Sequence, residues 1–420
     1  MSYPTLIRWL SIVLLAVVAL PRGAAAAEPT VATLFSDYYN GQDGMRVLGH
    51  PLNGLEIANG FHAQYFEKGR LEYHPEFQDN DRWLFAYGRL AAELIERGAN
   101  LPVGGDTSSL SYADLRAEAA PERRVAPPRP NVDGPIDAGL RGTFVPTDPQ
   151  LKSGPGHFVP RRFWAYANRA DLFPGGWLHD LGLPLTAAIS ARVTKGGVER
   201  EIIIQAFERT ILTDDPLNQD VFQIERANVG RDYLAATPLD GEDVAIIDLI
   251  DDTDYGVEVT SYIQFVDGPY ARVWLLPHNT ADFAVDPAWV FLHKGADGWK
   301  IVGGPGTDFS WDFYTSLGIP ATMHVGSELE RSLHAAVQEH VKSTPVGDDL
   351  TTEFHRLAAG VALVRVWVGE TDLGFVYARL EDVNRWRILG GPATSFEPAF
   401  YEENAIPRLL RLADLVKVSP

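Results

Sequence analysis

Glutamates set beside aromatic residues are the most chemically suggestive feature of this 420-residue sequence. Glu67 follows Gln64-Tyr65-Phe66, Glu208 follows Gln205-Ala206-Phe207, and each precedes a base, Lys68 or Arg209. Glu72 and Glu76 stand a few residues beyond Glu67, with Tyr73 between them. Glycoside hydrolysis needs two carboxylates across a sugar, one of them kept protonated by a raised pKa. Only one glutamate recurs at both places, so the pattern is thin for catalysis, and solvated or ion-paired strand residues are the better reading of Glu67-Lys68 and Glu208-Arg209. Exposed Tyr and Trp stack on sugar faces at low entropic cost, which makes Tyr65, Tyr73 and Trp164 candidate platforms. The expected ligand-contacting set is therefore Tyr65, Glu67, Glu72, Tyr73, Trp164, Gln205, Glu208 and Arg209, with no residue assigned a catalytic role.

Other reaction centres lack their motifs. The chain contains no His-Glu-x-x-His, Gly-x-Ser-x-Gly, Ser-x-x-Lys or P-loop. With zero cysteines, thiol nucleophiles and zinc thiolate sites are impossible. Histidines are scattered, and His334 and His340 stand too far apart to share a helix face. The run from Asp248 through Asp251, Asp252 and Asp254 could offer oxygen ligands to calcium but lacks EF-hand spacing. It reads as a solvated acidic loop, so no metal and no cofactor is expected. The turns Gly303-Gly-Pro-Gly306 and Gly390-Gly-Pro-Ala393 read as strand ends, because proline removes a ladder donor.

The elements that must position these residues are arranged in repeats. Leu48-Gly-His-Pro51-Leu52 recurs as Leu181-Gly-Leu-Pro184-Leu185, and Gln64…Phe66-Glu67 recurs as Gln205…Phe207-Glu208. Leu71 matches Leu212, Pro75 matches Pro216, and Gly88-Arg89 matches Gly230-Arg231. Phe35, Tyr38 and Tyr39 precede one copy, and Phe163, Trp164 and Tyr166 precede the other. A second pair is stronger. Trp299 to Phe309 aligns without a gap on Trp386 to Phe396, and Arg272-Val-Trp274 on Arg365-Val-Trp367. Around each Trp-x-Ile a β-branched run, a turn and a second run predict a hairpin. Trp274, Trp299, Trp367 and Trp386 then read as core pillars. Ser327-Glu-Leu-Glu330 is a capping-box pattern leading into Leu329, Leu333, Val337 and Val341, an amphipathic helix.

Composition bounds the setting. Met1 to Ala27 has a basic residue, a short apolar core and small residues before Glu28, the pattern of a cleaved secretory signal peptide. No other stretch is long and apolar enough to span a bilayer, so no membrane contact is expected after cleavage. A formal charge of −20 argues against nucleic acid as a partner. The Pro-rich stretch around Pro121 to Pro135 reads as a linker. Boundaries follow at 1–27, 28–119, 120–138, 139–238, 239–322 and 323–420.

The segment Leu48-Gly-His-Pro51 with Gly60-Phe-His-Ala-Gln-Tyr-Phe-Glu67-Lys-Gly69 resembles the LGFP-repeat modules of bacterial envelope proteins. In the second copy Thr210 replaces Gly69, and the loop before Gln205 is longer. The whole chain resembles multi-module extracellular proteins of the Chloroflexi type. The resemblance implies a location at the cell wall and a contact with wall or extracellular polysaccharide. The expected fold class is α+β and multi-domain: two β-rich LGFP-like modules, then two small cystatin-like modules with a helix on an antiparallel sheet. The expected function is that of an exported non-catalytic envelope protein. Alternatives are a carboxylate hydrolase acting near Glu67 or Glu208, and a scaffold for another envelope protein.

Overall fold

A computed structural model describes residues 29–173, 175–236, 242–278, 284–343 and 349–412. The predicted signal segment lies outside them. The chain is mixed α+β, with four sheets that are antiparallel apart from one parallel contact.

The first unit is a meander of Glu56–Ala58, Phe61–Phe66, Gly69–Tyr73 and Phe85–Tyr87. Its first turn is tight because Asn59 (φ 53°) and Gly60 (φ 82°) both take positive φ, the geometry that matches strand twist. Helix Leu90–Arg97 follows, burying Leu90, Ala91, Leu94 and Ile95 on one face and ending at Gly98 in the left-handed region. Helix Tyr112–Glu118 starts with a reciprocal cap between Ser111 and Asp114.

The second unit runs Ile189–Lys195, Val198–Ala206, Ile211–Asp214 and Ile224–Arg226. Its outer strand also pairs with Thr107–Ser108, so residues before the Pro-rich stretch complete its sheet. Equivalent hydrogen bonds occur in both units. The amide of Leu52 bonds the carbonyl of Tyr65 as Leu185 bonds Ala206, and Lys68 bonds Leu48 as Arg209 bonds Leu181. Strand register equates Tyr87 with Arg226, since each lies opposite a matched leucine, Leu71 or Leu212. That register sets helix Leu90–Arg97 against Val229–Ala236, so Arg89 and Arg231 are three positions out of step. Both arginines still project from the first turn of their helix or just before it, which is how the sequence match arose.

The Pro-rich stretch is docked rather than free. Val125 exchanges two backbone hydrogen bonds with Gly156, and Ile136–Asp137 joins a small sheet with Thr143–Pro146 and Gly156–Val159.

The C-terminal half forms one eight-stranded sheet from two four-stranded meanders, Val259 to Gly306 and Leu350 to Ala393. They meet through a parallel contact at Phe265 and Leu357. Parallel strands at the junction relate the halves by a rotation about the strand direction, which sets their equivalent helices on opposite faces of the sheet. Helix Asp243–Asp251 sets Ile246 and Ile250 against Val273, Val290 and Leu292. Helix Glu328–Lys342 buries Leu329, Leu333, Val337 and Val341, in one core with Val364, Val376 and Ala378. Behind the first copy, Trp311–Leu317 packs Phe313 and Tyr314 on Phe291. Behind the second, Pro398–Glu403 packs Phe400 and Tyr401 on Tyr377.

Three sequence expectations are corrected here. The acidic run is not a loop, because Asp248 and Asp251 lie in the helix whose buried edge is Ile246 and Ile250. The Gly-Gly-Pro segments do not end strands, since strands Gly298–Gly306 and Arg385–Ala393 run through them with shifts in register. Of the four tryptophans read as pillars, Trp274, Trp299 and Trp386 are buried, whereas Trp367 is half-exposed beneath Arg365.

Candidate functional site

The recurrent glutamates are committed to the turns beside them. Gly49 (φ 78°) and Gly182 (φ 76°) bend the chain so that a following amide points at the carboxylate. Glu67 Oε2 accepts from His50 N at 3.2 Å, and Glu208 Oε2 accepts from Leu183 N at 3.0 Å. A Cβ at Gly49 would lie 2.4 Å from Glu67 Oε2, and one at Gly182 2.7 Å from Glu208 Cβ, so both positions need glycine. The second oxygen of each carboxylate takes an arginine from the other unit. Arg231 bonds Glu67 Oε1, and Arg89 lies 3.0 Å from Glu208 Oε1. Burial raises the Glu67 pKa, but the His50 amide and Arg231 outweigh it, and the carboxyl stays ionised below its usual range. Such a group is a poor general acid.

The two units thus clasp each other reciprocally. The Arg226 guanidinium lies over the Tyr87 ring, its register equivalent, at 5.3 Å. Arg209 donates to the Tyr87 carbonyl.

Glu72 belongs to a buried charge cluster. Arg70, 1% exposed, donates from Nε to Glu72 Oε1 at 2.8 Å, from Nη1 to the Tyr65 hydroxyl at 3.0 Å and from Nη2 to Glu93 at 2.9 Å. Burial raises the Glu72 pKa, but Arg70 and His74 outweigh it and hold the carboxyl low. Tyr65 is not a surface platform: it is 3% exposed, stacked on Tyr233 at 5.5 Å. Gln205 is fully buried, and its Nε2 bonds the carbonyls of Phe158 and Thr186 as Gln64 bonds those of Thr30 and Asn53. These glutamines anchor the chain entering each unit.

Beside this cluster a cavity of about 130 Å³ lies between the first unit and the eight-stranded sheet, lined by Glu56, Arg70, Tyr233, Asp267 and Arg356. Asp267 accepts from Asn59 N at 2.5 Å and Gly60 N at 2.6 Å, pinning the hairpin turn to the sheet. Burial pushes Asp267 up to about 6 despite those bonds, and pushes Glu56 up to about 7 against Arg70 and an Asn53 hydrogen bond.

Tyr73 and Trp164 are the members of the expected set that present half-buried aromatic rings. Tyr73 touches Phe85 at 5.8 Å, and Phe85 touches Tyr38 at 5.2 Å. The Phe85 carbonyl is bonded by His179, whose ring lies 5.0 Å from Trp83. His179 shares the short helix Trp177–Asp180 with Trp177, and Trp177 meets Trp164 at 5.3 Å. Tyr38, Tyr73, Trp83, Phe85, Trp164 and Trp177 are all partly exposed. They form an interrupted aromatic strip: Tyr38, Tyr73 and Phe85 in the first unit, Trp164 and Trp177 in the segment leading into the second, with buried His179 beside Trp83 between the two groups. Sequence reasoning missed Trp83 and Trp177. The signal that could have found Trp177 was its place just before the second Leu-Gly-x-Pro turn.

An open groove of about 510 Å³ runs between helix Leu90–Arg97, the end of helix Tyr112–Glu118 and the second unit's Leu183-Pro184-Leu185 turn. Among the described residues, no group of three or more His, Asp or Glu side chains is placed to hold a metal ion, and no helix is long and apolar enough to cross a membrane. No family model matches the chain, and neither the curated proteins nor the solved structures yield a match.

Proposed function

We propose that this is an exported, non-catalytic envelope protein that contacts wall or extracellular polysaccharide through its paired N-terminal units. The observation that carries the reading is the set of half-buried rings from Tyr73 to Trp164, two aromatic groups linked through His179. Half-exposed rings on a rigid body offer apolar faces for successive sugars with little entropy to lose. Reading the two units as LGFP-like modules belongs to this proposal, and the matched glycine turns and carboxylate clasps support it. Reading the C-terminal copies as cystatin-like also belongs to it, supported by a long helix laid on an antiparallel meander.

The test is sedimentation of the mature chain with purified cell walls and with neutral polysaccharide. Trp164→Ala with Trp177→Ala is expected to lower the bound fraction several-fold, while Trp311→Ala, on the exposed helix Trp311–Leu317 of the C-terminal half, leaves it unchanged. Point substitutions are used because removing the chain up to Pro135 would strip Thr107–Ser108 from the second sheet and open the shared core. Absence of binding by the unmodified chain sinks the reading.

A carboxylate hydrolase has one observation in its favour, the Glu56 carboxyl held up to about 7 beside a cavity. Its neighbour Asp267 has both oxygens engaged by backbone amides, which suits it to architecture rather than to attack or base work. Reducing-end release from wall polysaccharide, lost in Glu56→Gln, would establish the hydrolase instead.

A further inference from the structure

The groove between the units has a chemistry unlike that of the aromatic strip. Its floor is aliphatic, built from Ala92, Ile95, Ala119, Leu183 and Pro184, and no aromatic ring lines it. Apart from Thr147, it lacks the hydroxyls and amides that would read sugar hydroxyls. Its charged lining divides in two. Arg89 and Glu208 are paired with each other across the unit boundary. Arg116, on helix Tyr112–Glu118, and Arg124, beyond the 3₁₀ turn Pro121–Arg123, are exposed. Among the described residues neither has a carboxylate partner, whereas their neighbour Arg123 is tied to Glu118. One acid, Glu96, opposes them. In a chain of formal charge −20, two uncommitted guanidinia over an aliphatic trough depart from the general surface.

We propose that this groove is a second binding site, taking an extended acidic peptide segment of a partner protein. An extended backbone places alternate side chains on opposite sides, so apolar residues can enter the trough while carboxylates face the rim. Arginine suits that rim because its planar fork accepts a carboxylate on two parallel N–H groups. The width of the site is set by the clasp between the units. Both walls are anchored by Glu208, which bonds Leu183 on one side and Arg89 on the other. A site of this kind is preformed and needs no rearrangement to open. Elsewhere the acidic surface repels such a peptide, so discrimination falls to these two side chains.

The experiment is fluorescence anisotropy with the mature chain and a labelled eight-residue peptide of alternating leucine and glutamate. Saturable binding is expected at low salt, weakening as ionic strength rises. Arg116→Gln with Arg124→Gln should weaken it about ten-fold, the scale of two exposed charge pairs. Ala119→Trp, which fills the floor, should abolish it while leaving the arginines in place. A thermal melt on each variant separates lost binding from lost folding. The proposal is overturned if no peptide binding occurs, if the glutamine analogue binds equally well, or if neither substitution matters. It is also overturned if an oligogalacturonate displaces the peptide and binds more tightly, which would make the occupant an acidic glycan. Retention of wall binding by the groove variants, and of peptide binding by the Trp164/Trp177 variant, keeps this site distinct from the aromatic strip.

Discussion

Glu67 and Glu208 show how one residue type can be read correctly as special and wrongly as free. Each accepts one backbone amide and one arginine, and the two partners differ in weight. The amide is fixed by a glycine turn, whereas Arg89 and Arg231 are more than half exposed to water. An exposed ion pair contributes about 0–1 kcal/mol, a hydrogen bond to a charged acceptor about 1.5–3 kcal/mol. Glu208→Gln should therefore destabilise more than Arg89→Gln, by roughly 1–2 kcal/mol against less than about 1 kcal/mol in urea unfolding. Equal losses would show that the cross-unit pair dominates. Arg70 is the opposite case, a guanidinium buried between Glu72 and Glu93. Arg70→Met leaves both carboxylates without their cation and should cost about 3–5 kcal/mol. The cross-unit arginine partners were not legible from local sequence, since Glu67 and Arg231 are 164 positions apart.

At the scale of elements, the helix Glu328–Lys342 was the most legible piece, because Leu329, Leu333, Val337 and Val341 step along one face. Ser327 does cap it, accepting from Glu330 N, but the Glu330 side chain is diverted from the reciprocal bond. It pairs with buried Arg272 at 3.0 Å and accepts from Gly326 N, tying helix to sheet. Burial raises the Glu330 pKa, yet Arg272 and His334 overcome it and hold the carboxyl down to about 2. That stabilisation is complete above about pH 4.5, and it is lost as pH falls through about 2. Glu330→Gln should lower stability by about 3 kcal/mol at pH 7 and remove this acid limb from the stability profile. Leu333→Ala, a cavity in the same interface, should cost about 2–5 kcal/mol with no change in pH profile. The equivalent helix, Asp243–Asp251, was illegible because its acidic residues masked a buried edge of only Ile246 and Ile250.

Across the whole molecule one hydrophobic core runs from Phe35 through Phe207 and Phe265 to Trp386, joining both N-terminal units to the eight-stranded sheet. The described residues should then unfold in a single calorimetric transition, and two separated peaks would contradict a shared core. The junction carries its own pH signature. Glu56 and Asp267 titrate in the folded state near 7 and 6, above the ordinary carboxyl range. A raised carboxyl pKa favours the protonated folded form, so these two groups add stability as pH falls from about 7 towards 4, whereas His62, His157 and His355, held down to about 4 by burial, subtract it over the same range. Below about pH 4 depressed groups such as Glu330 lose their stabilisation as well. Thermal melts isolate the carboxyl part: relative to the unmodified chain, Asp267→Asn should lose stability as pH falls from 7 to 4.

Residue order was enough for the local features: hairpins from alternating runs around glycine turns, and one long helix from four-residue spacing. Those depend on residues within a few positions of one another, where backbone sterics and periodicity decide. Folding was needed to bury Tyr65 and Gln205, to make clasps of Glu67 and Glu208, and to bring the rings around Tyr73 and Trp164 to either side of His179. It also decided that the C-terminal copies fuse into a single sheet by a parallel contact. Such choices turn on which apolar faces meet after long loops close, and on the burial of charges that then need partners. No short stretch of sequence encodes them.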